Sequence, residues 1–172
     1  MRKVEVVPHS PKWQEIFKVE SDRVIDALGK NVIAVHHIGS TAIPQIYAKP
    51  IIDLLIEVKD IVQVDEQNAS MESLGYEVMG EFGISGRRFF RKDNPEGIRT
   101  HHIHLFTVGL DQVKRHLAFR DYMIAHPEDA QKYSELKRRL AKAHPTNIDS
   151  YMDGKNAFIK EIDKNAAQWQ PL

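Results

Sequence analysis

Two stretches of this sequence combine residue types that suit phosphate chemistry. The first reads His37-Ile38-Gly39-Ser40-Thr41-Ala42-Ile43-Pro44 and continues to Lys49-Pro50-Ile51-Ile52-Asp53. A glycine closing a β-branched run lets the backbone turn sharply and lets a ligand approach closely. Ser40 or Thr41 can cap a following helix, and Pro44 suits its first turn. Free N–H groups at such a helix start, with the hydroxyls and Lys49 nearby, make an anion site for which phosphate is the natural guest. Asp53 is a carboxylate in an otherwise apolar strand, costly unless it is paired, hydrogen-bonded or bound to metal. Phosphate beside an aspartate that holds Mg²⁺ or Mn²⁺ is the logic of phosphoryl and nucleotidyl transfer. The plainer reading is a capped turn, with Asp53 paired to Lys49 or an arginine.

Two-metal chemistry asks for a second carboxylate two residues further on, roughly 6.6 Å along a strand. That position is Leu55. Glu57 shares the face of Asp53 but sits roughly 13 Å along the strand, too far to share one metal. A second ligand has to come from elsewhere. The second stretch, His101-His102-Ile103-His104-Leu105, offers one. On a strand His102 and His104 share a face, with Ile103 and Leu105 on the other. Two such imidazoles suit a transition metal, a substrate phosphate, or proton transfer. A hydrogen-bonded, half-buried pair is the structural alternative, and His101 is expected at the strand's edge.

Arg87-Arg88-Phe89-Phe90-Arg91 alternates in the same way, placing Arg87 and Arg91 on one face. Arginine's planar fork donates two parallel hydrogen bonds to phosphate. Further on, Arg120-Asp121-Tyr122 stands out, as do Tyr133 with Lys137 and Tyr151 with Lys155, each pair four apart and so on one helix face. His36, His116, His126 and His144 are read as structural.

These residues need a framework. Ser10-Pro11 signals a helix entry, apolar residues recur at helical spacing from Trp13 to Leu28, and Gly29 ends the run. Ile16 and Ile25 belong to that apolar face. Short strands are expected at 4–7, 32–38, 51–58, 76–79, 87–91 and 101–108, with a helix from a cap at Asp60 to about Leu74 and a turn at 93–97. After Asp111 the pattern is helical, with three segments broken at Pro127 and before Ile148. The expected organisation is one domain: an α/β sheet core over 1–110 with a helical part over 111–172 packed on it.

Composition narrows the classes. Lys plus Arg and Asp plus Glu number 24 each among 172 residues, so no global charge draws the chain to nucleic acid or an anionic membrane. Without cysteine there is no disulfide framework and no thiolate metal site or nucleophile. The longest apolar run, 51–56, is interrupted by Asp53 and too short to span a bilayer. A soluble cytoplasmic protein is the expectation.

Taken together, His37-Ile38-Gly39-Ser40-Thr41-Ala42 with Lys49-Pro50-Ile51-Ile52-Asp53 resembles the signature of the GrpB family. His102-Ile103-His104-Leu105, Phe119-Arg120-Asp121-Tyr122, His126-Pro127-Glu128 and Tyr133-Ser134-Glu135-Leu136-Lys137 are similar to its further motifs, and Lys155 with Phe158-Ile159 to a last one. The match runs in order from about Val4 to Ala167. It departs at Gln45-Ile46, where family members usually carry Gly-Leu. The resemblance implies a nucleotidyltransferase-like fold, a mixed sheet flanked by helices. The family name settles no activity; with the residues above, the first expectation is transfer of a nucleoside monophosphate from a triphosphate to a small acceptor, dependent on a divalent metal. Asp53, His102 and His104 would serve as metal and catalytic groups. Gly39, Ser40, Thr41, Lys49, Arg87, Arg91, Arg120 and Lys137 would contact phosphate. The alternatives are a non-catalytic nucleotide or coenzyme module and a metal-dependent phosphate-ester hydrolase.

Overall fold

The computed structural model describes residues 3–169. Its residues gather into two compact units. One holds 11–38 and 51–114; the other holds the chain up to Ser10, Gly39–Pro50, and the residues from Arg115 onward. The helical part thus includes two earlier segments that the sequence pattern assigned to the sheet core.

In the first unit, α1 (Lys12–Leu28) precedes β1 (Val32–Ile38), β2 (Ile52–Val58), the short helices α2 (Ile61–Val64) and α3 (Asn68–Ser73), and strands β3 (Tyr76–Val78), β4 (Arg88–Asp93) and β5 (Arg99–Thr107). The five strands form one mixed sheet in the order β1-β2-β5-β4-β3. Only β2 and β5 run parallel. β2 is the apolar heart of the sheet: Leu54, Leu55, Ile56 and Val58 are fully buried, and only Asp53 and Glu57 are partly exposed. Such near-continuous burial is what a strand between two neighbours requires.

Several elements differ from the pattern reading. Residues 4–7 are no strand; Val7 makes one isolated bridge to Ala48, and the Val4 N–H reaches Pro145 O. Helix α1 begins one residue later than Ser10-Pro11 implied, without a side-chain cap. It buries Glu20 and Ser21 while Ile16 and Ile25 stay exposed. Asp60 does cap, accepting from the Val62 N–H, but the helix it starts breaks at a 3₁₀ turn over Asp65–Gln67 before α3 resumes.

In the second unit α4 (Asp111–Ala125, whose first turn belongs to the sheet unit), α5 (Pro127–Ala143) and α6 (Ile148–Gln168) follow the expected boundaries. Ile43, Ile46, Tyr122, Met123, Ala130, Tyr133, Ile162 and Ala166 form their shared core. Gln45, in place of the usual glycine, holds a left-handed φ of 65°. A residue with a Cβ incurs steric strain in that region. No helix among the described residues is long and apolar enough to cross a membrane.

Candidate functional site

Asp53 is the second residue of β2, and the parallel pairing of β2 with β5 sets it beside His102. Its Oδ1 lies 3.4 Å from His102 Nδ1 and 3.4 Å from His104 Nε2. The sheet therefore brings together three of the candidate residues, two from one strand face and one from the neighbouring strand.

The outer nitrogens of both rings face arginines. Arg87 Nη1 is 3.3 Å from His104 Nδ1, and Arg99 Nη1 is 3.2 Å from His102 Nε2. A guanidinium only donates, so each of those ring nitrogens accepts. The proton then sits on the opposite nitrogen: His102 is the Nδ1–H tautomer, His104 the Nε2–H tautomer, and both donate to Asp53. Burial alone would raise the Asp53 carboxyl, but the hydrogen bonds from His102 and then His104 outweigh it and hold it well below the usual carboxylate range. Phe89 packs its ring 5.4 Å from His102 and 5.2 Å from His104, fixing both. Arg87 in turn lies over Phe89 and donates to Phe82 O and Glu81 O.

This pattern bears on metal binding. A ligating histidine turns a lone pair to the metal and gives its other N–H to an acceptor. Here that other nitrogen would face an arginine N–H, donor against donor. Among the described residues no group of three or more His, Asp or Glu side chains is arranged to hold a metal. His102 and His104 therefore do not fit a histidine-held transition metal. Asp53 as a single carboxylate fits the weaker demand of Mg²⁺, which keeps waters and takes most ligands from a substrate's phosphates.

Other candidates fall elsewhere. Arg91 pairs with Glu77 at 3.0 Å, and Arg88 with Asp65 at 2.7 Å. Glu57 is held by His36 at 2.8 Å. Arg120 pairs with its neighbour Asp121. Gly39 takes a φ of 75°, as a sharp turn requires. No regular helix starts after it, however: Ser40–Ala42 is a single 3₁₀ turn, and Pro44 lies beyond it. Three residues supply no helix start at which an anion would sit, so phosphate contact by Gly39, Ser40 and Thr41 loses that basis. Arg99, which the sequence reading missed, belongs to the site. Its position has the wrong parity for the His102 face, but the register shifts between Lys92 and Asp93 where Arg99 pairs. That irregularity leaves no trace in spacing.

His101 is not at the strand's edge; β5 begins two residues earlier, at Arg99, and the ring faces a second buried cluster. Glu20, 3% exposed, accepts from Tyr76 Oη at 2.6 Å and from Lys92 Nζ, with His101 Nε2 at 3.8 Å. Burial pushes His101 down to about 4 despite Glu20.

In the helical unit, α5 places Tyr133 and Lys137 one turn apart and α6 does the same with Tyr151 and Lys155. Lys137 Nζ lies 4.4 Å from the Tyr133 ring centroid; Lys155 and Lys49 lie 4.7 and 5.3 Å from that of Tyr151.

This mixed sheet flanked by helices is a nucleotidyltransferase-like fold, with the carboxylate on an interior strand. Terminal uridylyl transferase 4 from Trypanosoma brucei, with bound dUTP, shares it at a TM-score of 0.57 and 12% identity, over 94% of this chain and 55% of that one. The chain belongs to the GrpB family, whose description, GrpB protein, matches residues 3–165. It is similar to the conserved protein GrpB from Enterococcus faecalis, with a TM-score of 0.91 and 46% identity over 95% of this chain and 98% of that one. It is 46% identical to UPF0157 protein YqkA of Bacillus subtilis over 98% of its own residues. It spans 49% of that relative's length, and 66% of the length of UPF0157 protein PA4798 of Pseudomonas aeruginosa, to which it is 37% identical over 93% of this chain.

Proposed function

We propose that this protein binds a nucleoside triphosphate and transfers its nucleoside monophosphate to a small acceptor. The observation that carries the proposal is Asp53, an ionised carboxylate on an interior strand fixed by two histidines, in a fold shared with a uridylyl transferase that holds dUTP. Asp53 would hold a magnesium ion arriving with the triphosphate, which would offset charge on the phosphates. His102 and His104 act through Asp53 as positioning residues: their N–H groups orient it and keep it charged. Arg87 and Arg99 fix the ring tautomers, and Phe89 fixes the ring planes. Charge developing beside a carboxylate held in this way meets little reorganisation, which is where such sites gain rate.

A second reading, a nucleotide or coenzyme module without turnover, is favoured by Leu55. It is fully buried two residues from Asp53, where a second carboxylate would complete a two-metal site. The hydrolase alternative needs histidine ligands, and the arginines behind both rings argue against it.

The test is thermal stability against nucleoside triphosphates, with and without Mg²⁺, for the wild type and Asp53→Asn. Ligand at ~100 times its Kd adds about 2.7 kcal/mol, a shift of several degrees in Tm. A Mg²⁺-dependent shift lost in Asp53→Asn supports transfer. A Mg²⁺-dependent shift that survives the substitution supports the module. No shift with any nucleotide overturns both.

A further inference from the structure

The helical unit buries one amino group in a way that its own packing does not explain. Lys137 is 1% exposed, and its Nζ has no hydrogen-bond partner among the described residues. Lys155 is 6% exposed, and Lys49 is half-buried. The three amines lie close enough that Lys155 and Lys49 add to burial in disfavouring the charge on Lys137. A second orphan lies in the same cluster: the Tyr151 hydroxyl is buried and unpartnered among the described residues, in a side chain 0% exposed.

Leaving one buried donor without a partner costs roughly 1–3 kcal/mol, and burying an unpaired ammonium costs more. Leucine or methionine would fill the Lys137 position without that cost. The arrangement is also repeated: α5 and α6 pack together and each presents a tyrosine one turn before a lysine, with Tyr133 stacked on Phe158 at 5.5 Å. Tyrosine rings accept the lysine cations on their faces, but a ring face cannot replace an anion as the partner of the Lys137 ammonium.

We propose that Lys137, Lys155, Lys49 and the Tyr151 hydroxyl form a binding site for a chain of two or three phosphates. Three point-charge donors match the three or four negative charges of such a chain better than the two of a single phosphate. Lysine, unlike arginine, imposes no planar fork and suits the tetrahedral oxygens of a chain from several sides. The chain can be inorganic polyphosphate or the phosphate end of a nucleotide; the chemistry recognised is the same. The proposal stands on residues of the helical unit alone and does not depend on the role given to Asp53.

Isothermal titration of the whole chain at low salt tests it, with inorganic tripolyphosphate, pyrophosphate and ATP as probes and sulfate as control. Saturable binding of tripolyphosphate is expected. It should weaken at least tenfold in Lys137→Met and several-fold in Tyr151→Phe, and stay unchanged in Asp53→Asn. Tripolyphosphate and ATP binding alike means that the phosphate chain is the whole determinant. Tighter ATP binding, equally lost in Lys137→Met, means that the nucleoside adds contacts. Absence of saturable binding by all three probes, or wild-type binding in Lys137→Met with that variant folded by circular dichroism, overturns the proposal.

Discussion

Each unit of this molecule holds an ionisable group at least partly out of water, and the two differ in what surrounds it. Asp53 is held by partners: two ring N–H groups reach one carboxylate oxygen, and each ring is backed by an arginine. Lys137 is incomplete: its amine meets a tyrosine face and two further lysines, and no acceptor among the described residues. A protein that partners one ionisable group and leaves another without an acceptor distinguishes a group held in place before its ligand arrives from one whose partner is still to come. The cluster around Glu20 is the internal standard, a buried carboxylate bonded to Tyr76 and Lys92.

The largest effect is expected at that standard. Glu20→Ala leaves Lys92 and Tyr76 without their acceptor and should cost about 3–5 kcal/mol, since removing one partner strands the other. Chemical denaturation measures it, and a loss below ~1 kcal/mol would show that partnered buried charges matter little here. Lys137→Met should act in the opposite direction. Replacing an unpartnered buried amine, which folding strips of its proton at neutral pH, with an apolar side chain of similar length should raise stability by about 1–4 kcal/mol. The gain depends on pH. The unfolded chain keeps this proton up to the ordinary 10.5, and the folded chain only up to about 6. Between those values the unfolded state binds more protons, so wild-type stability rises with pH by up to ~1.4 kcal/mol per unit. The advantage of Lys137→Met should therefore be flat below about 6 and shrink above it. A destabilised Lys137→Met would break the comparison.

The smallest effect is expected at Asp53. Its two bonds are long and its side chain is partly exposed, so Asp53→Ala should cost about 1–3 kcal/mol, mostly from ring donors left without an acceptor. Because its folded value is depressed, this contribution is present above the ordinary 3.8 and is lost as pH falls below it. Denaturation curves of the two proteins should begin to converge as pH falls through about 4 and continue to do so well below it.

Much of this framework could be read from the sequence, because strand and helix periodicity report local burial. The strand 32–38, the three late helices, Asp60 as a cap and the shared face of His102 and His104 all follow from spacing. The meeting of that face with Asp53 does not, because the parallel pairing of β2 and β5 skips two intervening strands. Glu20 was hidden for the same reason. It lies among apolar positions of α1, and what makes its burial tolerable comes from residues 56 and 72 positions away. Ile16 and Ile25 look like core and are exposed, since the packed stripe of α1 is turned toward Glu20 and Ser21. Lys137 was visible as one of a pair four apart, but its burial was not, because a lysine on a charged helix reads as solvated.

The most direct measurement is the titration of Lys137 itself, followed by NMR of ¹³C-labelled lysine side chains and assigned with Lys137→Met. We expect a midpoint near 6 in the protein alone, as burial and the neighbouring lysines dictate, moving upward when tripolyphosphate is added. A midpoint near the ordinary 10.5 without ligand would show that Lys137 already has a partner or lies in water, and would contradict the contrast drawn between the two units.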